Sequence, residues 1–262
     1  MRQGVELVPV PGSPIAFSIG SWSVRWYSLL VSVALAIALL LASRELRRRS
    51  LDDTFILDAM LWALPAGIIG ARLYYVFFHW DIYRQIPHKI VAIWEGGIAI
   101  HGALFAAIPV AWIYARRRKI LFLPYLDVAL PCFALAQAIG RWGNWFNQEA
   151  YGSATDLPWG MVIQGVAYHP AFLYESLWDL ALFGVLWSIL KNTKQQEGFV
   201  ASAYVFGYSL GRLWIEELRT DSEWLGPFKA ASVWSVLGIL IGGVLLYSML
   251  RRRRDESSQG AL

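Results

Sequence analysis

The chain has 262 residues, of which 57% are hydrophobic and 16% are charged, and its formal net charge is +4. Soluble domains usually contain about 45–50% apolar and about 25% charged residues. Because the apolar residues form long uncharged runs of the length that crosses a bilayer, this composition argues against a soluble globular fold. The basic residues stand in short clusters between those runs, which is typical of topology control, and we expect no nucleic-acid partner.

Seven apolar segments predict an all-α polytopic membrane protein with about seven transmembrane helices. They run from Trp26 to Ser43, Phe55 to Phe78, Ile98 to Ala115, Pro124 to Ile139, Phe172 to Leu190, Phe199 to Ile215 and Val233 to Leu250. The fourth is short and contains Asp127, Pro131 and Gln137. We expect a single transmembrane domain over residues 1–262, whose first segment is retained and not cleaved as a signal peptide.

The distribution of Lys and Arg predicts the orientation of these helices. Basic clusters follow the first, third, fifth and seventh segments, at Arg44 to Arg49, Arg116 to Lys119, Lys191 to Lys194 and Arg251 to Arg254. By the positive-inside rule, the N-terminus lies outside and the C-terminus is cytoplasmic. We expect the polar tail, residues 251–262, to fray in the cytoplasm. The longest connection, residues 141–170, falls on the outer side, and long structured loops are usually functional.

Polar side chains recur at one depth in this topology, just beneath the outer surface. Ionisable groups near lipid are costly and usually mark a site. The group comprises Arg25, Tyr27, Arg72, Glu95, His101, Arg141, Asn144, Asn147, Glu149, His169, Glu175, Arg212, Glu216, Glu217 and Arg219. Tyr208, Arg212 and Glu216 are spaced four residues apart, so they share one helical face, and Arg219 continues it.

Two interpretations of these charges are open. The arginines and carboxylates either neutralise one another, as Arg212 with Glu216 or Arg141 with Glu149, or they bind an anion. Three arginines at one depth (Arg72, Arg141 and Arg212) exceed what such pairing needs. The planar fork of arginine suits a phosphate group. We therefore predict that the ligand is an anionic phospholipid head group.

His101 and Cys132 are the remaining candidates for chemistry. His101 is either a general base or a hydrogen-bonded packing histidine, and its Gly-rich surroundings among the arginines leave both roles open. The four histidines show no metal-ligand spacing, so we expect neither a metal nor a cofactor. Cys132 lies in an apolar stretch, and we interpret it as a packing thiol and not as a nucleophile.

The run GRWGNWFNQEAYG, from Gly140 to Gly152, resembles the signature of bacterial prolipoprotein diacylglyceryl transferases, G-R-x-G-N-[FW]-x-N-x-E-x-x-G, at every fixed position. Other stretches resemble the same family in the expected order: RWYSLL from Arg25, GARLYYVFF from Gly70, WEGGIAIHGALF from Trp94, HPAFLYE from His169 and Y-x-x-x-R-x-x-x-E from Tyr208. The similarity therefore extends over essentially the whole chain.

This resemblance implies an enzyme of the bacterial inner membrane whose active site faces the outer leaflet. Such an enzyme transfers the sn-1,2-diacylglyceryl group of phosphatidylglycerol to the lipobox cysteine of a prolipoprotein and releases glycerol 1-phosphate. Arg141 and Arg212 would be the catalytic residues that handle the phosphate, with His101 as the candidate base. The other expected lipid-binding residues are Tyr27, Arg72, Asn144, Glu149, Gly152, Tyr208 and Glu216.

The alternative function is that of an anionic-lipid transporter or flippase, in which the same arginines bind the lipid without chemistry. Transport sites usually lie near the bilayer midplane, between inverted repeats. The polar residues of this chain lie near the outer surface, and the sequence shows no internal repeat. These features favour an enzyme.

Overall fold

The computed structural model describes residues 11–20, 22–192, 196–222 and 224–259, and the side chains of residues 95, 192 and 256–259 lie outside the description. This part of the chain is mostly helical, as predicted. Its helices are α1 Trp26–Arg48, α2 Thr54–Phe78, the single turn α3 Trp80–Tyr83, α4 Ile100–Arg117, α5 Phe122–Asn147, α6 Ala171–Asn192, α7 Phe199–Leu218 and α8 Ala230–Gln259. Two short 3-10 helices, Pro87–Val91 and Ile93–Glu95, connect α3 to α4.

Short antiparallel hairpins, which the sequence analysis did not predict, occupy three of the connections. They pair β1 Ile15–Ile19 with β2 Trp22–Arg25, β3 Met161–Ile163 with β4 Val166–Tyr168, and β5 Trp224–Leu225 with β6 Phe228–Lys229. The turns of the second and third hairpins contain Gly165 and Gly226, whose φ angles of 84° and 61° favour glycine. Strands this short carry no usable alternation of polar and apolar residues.

Within the described residues, five helices are long and apolar enough to cross a membrane, namely α1, α2, α5, α6 and α8. Large apolar side chains project from them into the surroundings; Leu61, Phe77 and Val244 are 72%, 74% and 67% exposed. Soluble proteins rarely expose contiguous apolar surface on this scale, whereas contact with hydrocarbon chains accounts for it. The chain is therefore a multi-pass membrane protein. Helices α4 and α7 coincide with the other two predicted segments, and seven spans stay a prediction.

Helix α5 is longer than the fourth predicted segment. It continues through Gly140 and Gly143 to Asn147, so Arg141 and Asn144 lie on a helix and not in a loop. The predicted connection of residues 141–170 therefore begins too early. The extra turns are held by packing, because Trp26 stacks on Phe146 with ring centroids 4.7 Å apart. Tertiary contact thus outweighs the low helix propensity of the two glycines.

The expected fraying of the C-terminal tail is wrong for the described part of that segment. Helix α8 extends past the apolar stretch through the arginine run and ends at Gln259. Arginine is a strong helix former and is favourable near a helix C-terminus, which supports the continuation. Residues 260–262 lie outside the described residues.

The chain divides into two compact units, Met1–Ala42 with Leu126–Leu262, and Ser43–Tyr125. In the first unit, α7 packs against α6 and α8. The Asp127 carboxylate, buried on α5, accepts hydrogen bonds from the backbone N–H groups of Gly198 and Ala201 at 2.7 and 2.8 Å. A carboxylate at a helix N-terminus satisfies free N–H groups and complements the helix dipole. This charge therefore positions α7. The single domain predicted for residues 1–262 stays a prediction.

In the second unit, α2 packs along α4. The two backbones meet at Gly70 and Gly102: a Cβ on Gly102 would lie 2.3 Å from the Gly70 carbonyl oxygen. Small residues at such a crossing allow membrane helices to approach closely.

Candidate active site

Buried charge gathers around Glu175 of α6 in the first unit. This carboxylate, 4% exposed, is in contact with three arginines. Arg141 of α5 pairs with its Oε2, while Arg212 of α7 and Arg219, which follows α7, reach its Oε1 at 2.5 and 3.0 Å. Because a buried unpaired charge is strongly destabilising, each charge in this cluster depends on the packing of α5, α6 and α7.

Further carboxylates complete the arginine cluster. Arg212 Nη2 lies 2.6 Å from Glu216 Oε2, so the shared helical face predicted for this pair is confirmed. Arg219 forms a two-point contact with Asp221, at 3.0 Å through Nε and 2.7 Å through Nη2. Burial acts to lower the pKa of Arg219, but the hydrogen bond to Asp221 and the charge of Glu175 outweigh it and raise the pKa above its ordinary value. Arg219 therefore stays charged.

A cavity of about 10 Å³ lies at this cluster. Its lining includes Arg141, Glu175, Asp179, Tyr208 and Arg212. That volume is about enough for one water molecule. A phospholipid head group can therefore enter only when side chains that line the cavity move.

Trp178 and Gly211 also line the cavity. The Trp178 indole N–H donates to the Gly207 carbonyl at 3.0 Å. A Cβ on Gly211 would lie 2.0 Å from Trp178 Nε1, so this glycine makes room for the indole. On α7, the helix that carries Gly211, Tyr208 stacks on Tyr204 with ring centroids 5.7 Å apart. The two aromatic side chains that line the cavity, Trp178 and Tyr208, are thus held by contacts outside the charge cluster.

Asp179 was not among the residues predicted from sequence, and Glu175 was predicted only as one of the polar residues at the outer surface. Asp179 is 2% exposed and interacts electrostatically with Arg141, Glu175 and Arg212. A signal was present, because two carboxylates four residues apart in an apolar segment lie on one helical face.

Glu149 closes the end of α5. We considered it as an ion-pair partner of Arg141, but Arg141 pairs with Glu175. Glu149 Oε1 instead accepts hydrogen bonds from the side-chain amides of Asn144 and Asn147, at 3.1 and 3.0 Å. These two asparagines and the glutamate of the signature therefore hold one another at the helix end.

Gly152, the last residue of the signature, lies between two backbone segments. Its N–H donates to the His169 carbonyl at 2.8 Å, and it forms a β-bridge with Arg219. A Cβ on Gly152 would lie 2.9 Å from the Leu218 carbonyl oxygen. A glycine here thus lets the chain approach the backbone of an arginine in the charge cluster.

Tyr27 lies at the start of α1 and packs against α5. A Cβ on Gly143 would lie 2.5 Å from Tyr27 Cδ2, so this glycine of the signature provides the space that the tyrosine ring fills. The Tyr27 side chain is 40% exposed.

Arg72 and His101 belong to the second unit. Arg72 is 4% exposed, and its guanidinium donates to the carbonyls of Lys89, Ile90, Gly96 and Gly97 at 2.5, 2.9, 2.6 and 2.7 Å. His101 is the second residue of α4, and its ring centroid lies 6.0 Å from that of Tyr74. Of the predicted site residues, the structure brings Arg141, Tyr208, Arg212 and Glu216 together in the first unit.

The described residues contain no group of three or more His, Cys, Asp and Glu side chains that could hold a metal ion. Cys132 is 2% exposed, as expected of a packing thiol.

The chain resembles known proteins over most of its length. A family model described as prolipoprotein diacylglyceryl transferase matches residues 14–248 of the chain. The chain is similar to the phosphatidylglycerol–prolipoprotein diacylglyceryl transferase of Listeria monocytogenes, with 44% identity over 96% of this chain and 94% of the relative. It is also similar to proteins of this name from Synechococcus elongatus (44% identity, 94% of this chain and 91% of the relative) and Clostridium perfringens (44% identity, 93% and 97%).

Proposed function

The chain belongs to the prolipoprotein diacylglyceryl transferase family, and from this premise we propose its reaction and the roles of its residues. It is a transferase that moves the sn-1,2-diacylglyceryl group of phosphatidylglycerol to the lipobox cysteine thiol of a prolipoprotein and releases glycerol 1-phosphate. Family membership favours this chemistry over lipid transport by the same arginines.

The observation that carries the proposed mechanism is the convergence of Arg141, Arg212 and Arg219 on the buried carboxylate of Glu175. A phosphodiester presents to an arginine fork two oxygens that share one negative charge, much as a carboxylate does. The phosphate of phosphatidylglycerol therefore takes the position of the Glu175 carboxylate on Arg141 and Arg212. Glu175 turns away in that step, because the cavity of about 10 Å³ cannot hold both anions.

The arginines act on the charge that develops during transfer. The acceptor sulfur attacks the terminal glyceryl carbon, the carbon–oxygen bond breaks, and its electron pair stays on the phosphate oxygen. Arg141 and Arg212, fixed before the reaction by the packing of α5 and α7, stabilise that charge away from bulk water, which is usually the largest catalytic contribution. A free thiol is only a few per cent thiolate at neutral pH, so a base is needed, and the family resemblance makes His101 a candidate for that role.

The other site residues hold the arginines and shape the cavity. Glu216 orients Arg212, and Tyr208 lines the cavity beside the phosphate position. The end of α5 is held by Tyr27, Asn144 and Glu149. The segment that leads to Arg219 is held by its β-bridge with Gly152. No cofactor takes part, because the leaving group is already activated as a phosphodiester.

The enzyme lies in the bacterial inner membrane, crosses it seven times, and turns its active site toward the outer leaflet. Its N-terminus is outside and its C-terminus is cytoplasmic. Basic residues in the last turns of α1, α4 and α6 and after the apolar part of α8 support this orientation. The substrates are membrane phosphatidylglycerol and the lipobox segment of the prolipoprotein.

Replacement of Arg141 or Arg212 by alanine tests this mechanism. We expect transfer to fall by at least about 10²–10³-fold, the usual effect of removing one preorganised donor to a developing oxyanion. The measurement is mass spectrometry of a lipobox peptide after incubation of the purified variant with phosphatidylglycerol.

Arg118→Ala is the matched control, because Arg118 is half-exposed and pairs only loosely with Asp52, at 4.0 Å. This variant should transfer at the wild-type rate. Near-normal lipidation by Arg141→Ala or Arg212→Ala would refute the proposed phosphate site, provided that the variant is folded and inserted.

A further inference from the structure

Asp179 differs from the other carboxylates around the cavity. Glu175 is held by three arginines and Glu216 by Arg212. Asp179 is 2% exposed, and within the described residues its Oδ2 has neither a hydrogen-bond nor an ion-pair partner. Glu175 Oε2 and Glu216 Oε2 also lack a hydrogen bond, but each lies in an ion pair with an arginine. Leaving a buried polar atom without a partner is unfavourable, and more so for a charged group. A native fold usually gives such an atom a role, such as catalysis, or a bound water.

The position of Asp179 suits proton transfer. It lines the cavity with Arg141 and Arg212 and interacts electrostatically with both. Under the proposed function, these same arginines hold the phosphodiester whose carbon–oxygen bond breaks. Asp179 follows Glu175 by four residues and lies on the same face of α6. A carboxylate with an unpartnered oxygen therefore lines the cavity in which the proposed function places the phosphodiester.

We propose that Asp179 is a catalytic residue that carries the thiol proton during transfer, an inference that rests on the proposed function. Asp179 Oδ2 accepts the S–H proton, and the sulfur electron pair forms the new bond to the glyceryl carbon. The old carbon–oxygen bond breaks, and its electron pair stays on the phosphate oxygen. Asp179 then gives its proton to that oxygen. Glycerol 1-phosphate leaves with the proton that the thiol lost, and the carboxylate is regenerated.

The neighbouring carboxylates are less suited to this role. Glu216 is engaged with the arginine that stabilises the leaving group, and its loss would also disturb the phosphate site. Glu175 contacts three arginines and must turn away for the phosphate to bind. Asp179 can take up and release a proton without the loss of any such ion pair. His101, in the second unit, is the competing base.

The test compares two acceptor peptides in Asp179→Asn, which preserves the size of the side chain but cannot accept the proton. One lipobox peptide carries cysteine, and the other carries selenocysteine, whose selenol is ionised at neutral pH without a base. We expect transfer to cysteine to fall by about 10²–10⁴-fold, the usual contribution of a general base. Transfer to selenocysteine should fall far less, and phosphatidylglycerol should still co-purify with the variant.

Asp179→Glu keeps a carboxylate but displaces it. This variant tests the proposed proton transfer if Asp179→Asn does not fold. Its ratio of cysteine to selenocysteine rates should be below that of the wild type; an equal ratio would overturn the inference. Equal losses with both peptides in Asp179→Asn, or no loss, would do the same.

His101→Ala, run in parallel, identifies the competing base. A loss confined to the cysteine peptide in this variant, with none in the Asp179 variants, would assign the proton to His101 and overturn the inference. A wild-type protein that lipidates neither peptide would instead refute the proposed function.

Discussion

Arg72 shows that a buried arginine predicted correctly from sequence can have either of two roles, ligand binding or support of the backbone. The sequence indicates a buried arginine in an apolar segment, which usually marks a site. In the structure its guanidinium binds four backbone carbonyls between Lys89 and Gly97, the segment that precedes α4. Its role as a lipid ligand stays a prediction. Four of the five N–H donors are already bonded, which favours a structural role, because the fork has little capacity left for a phosphate.

We expect Arg72→Lys to destabilise the protein, because one ammonium group cannot replace four directed donors. The four carbonyl residues are partly or fully exposed, so each hydrogen bond that is lost should lower the free energy of unfolding by about 0.5–1.5 kcal/mol. Thermal unfolding in detergent measures this loss, and the KM for phosphatidylglycerol of the folded fraction should be unchanged. A stable variant with a raised KM would instead support direct binding of the lipid by Arg72.

At the scale of elements, the crossing of α2 and α4 determines where His101 lies within the second unit. His101 directly precedes Gly102, whose missing side chain lets the two backbones touch at Gly70. The Gly-rich start of α4 was interpreted from sequence only as favourable surroundings for a base. The structure adds a packing reason for one of those glycines, since the nearest atom, the Gly70 carbonyl oxygen, belongs to the backbone and cannot move aside cheaply.

Gly102→Ala should therefore separate α2 and α4. Its new Cβ would lie 2.3 Å from the Gly70 oxygen and 2.4 Å from Tyr74 Cβ. We expect a loss of about 1–3 kcal/mol in the free energy of unfolding, as for other overpacked positions. Gly184→Ala is the control, because a Cβ there would have no neighbour within 4 Å. Equal thermal stability of the two variants would contradict this account of the crossing.

At the scale of the whole molecule, the topology decides which substrates reach the site. Arg141 and Arg212 can meet the secreted part of a prolipoprotein only if the ends of α5 and α7 that carry them face outward. Five described helices satisfy the length and hydropathy of a span, so the orientation depends on whether α4 and α7 also cross. Lys and Arg clusters are the signal that assigns their sides.

Cysteine labelling in intact cells tests this topology. In a background with Cys132→Ser, a membrane-impermeant maleimide should modify Gln85→Cys and Asp156→Cys, which the proposed topology places on the outer side. It should modify Arg117→Cys and Glu197→Cys only after permeabilisation. All four positions are exposed in the structure, so accessibility within the protein does not limit the reaction. Labelling of positions 85 and 117 from the same side would show that α4 does not span.

The helical membrane class, the approximate bounds of the long helices and the shared face of Arg212 and Glu216 were all predictable from the amino-acid sequence. These features depend on local physics: apolar length must match the bilayer, and residues four apart share a helical face. Arg212 and Glu216 could be paired from spacing alone for this reason. The predicted end of the fourth segment was wrong because the packing around Trp26 and Phe146 carries α5 past two glycines.

Which charges meet across helices could not be predicted and follows from the folded arrangement. Three separate stretches of chain contribute the cluster of Arg141, Glu175, Arg212 and Arg219, and no spacing rule relates α5 to α6. Tertiary structure likewise directed Arg72 to backbone carbonyls and left an oxygen of Asp179 without a partner in the cavity. The physical reason is that side-chain pairing across helices depends on their crossing and rotation, which the packing of all of them sets together.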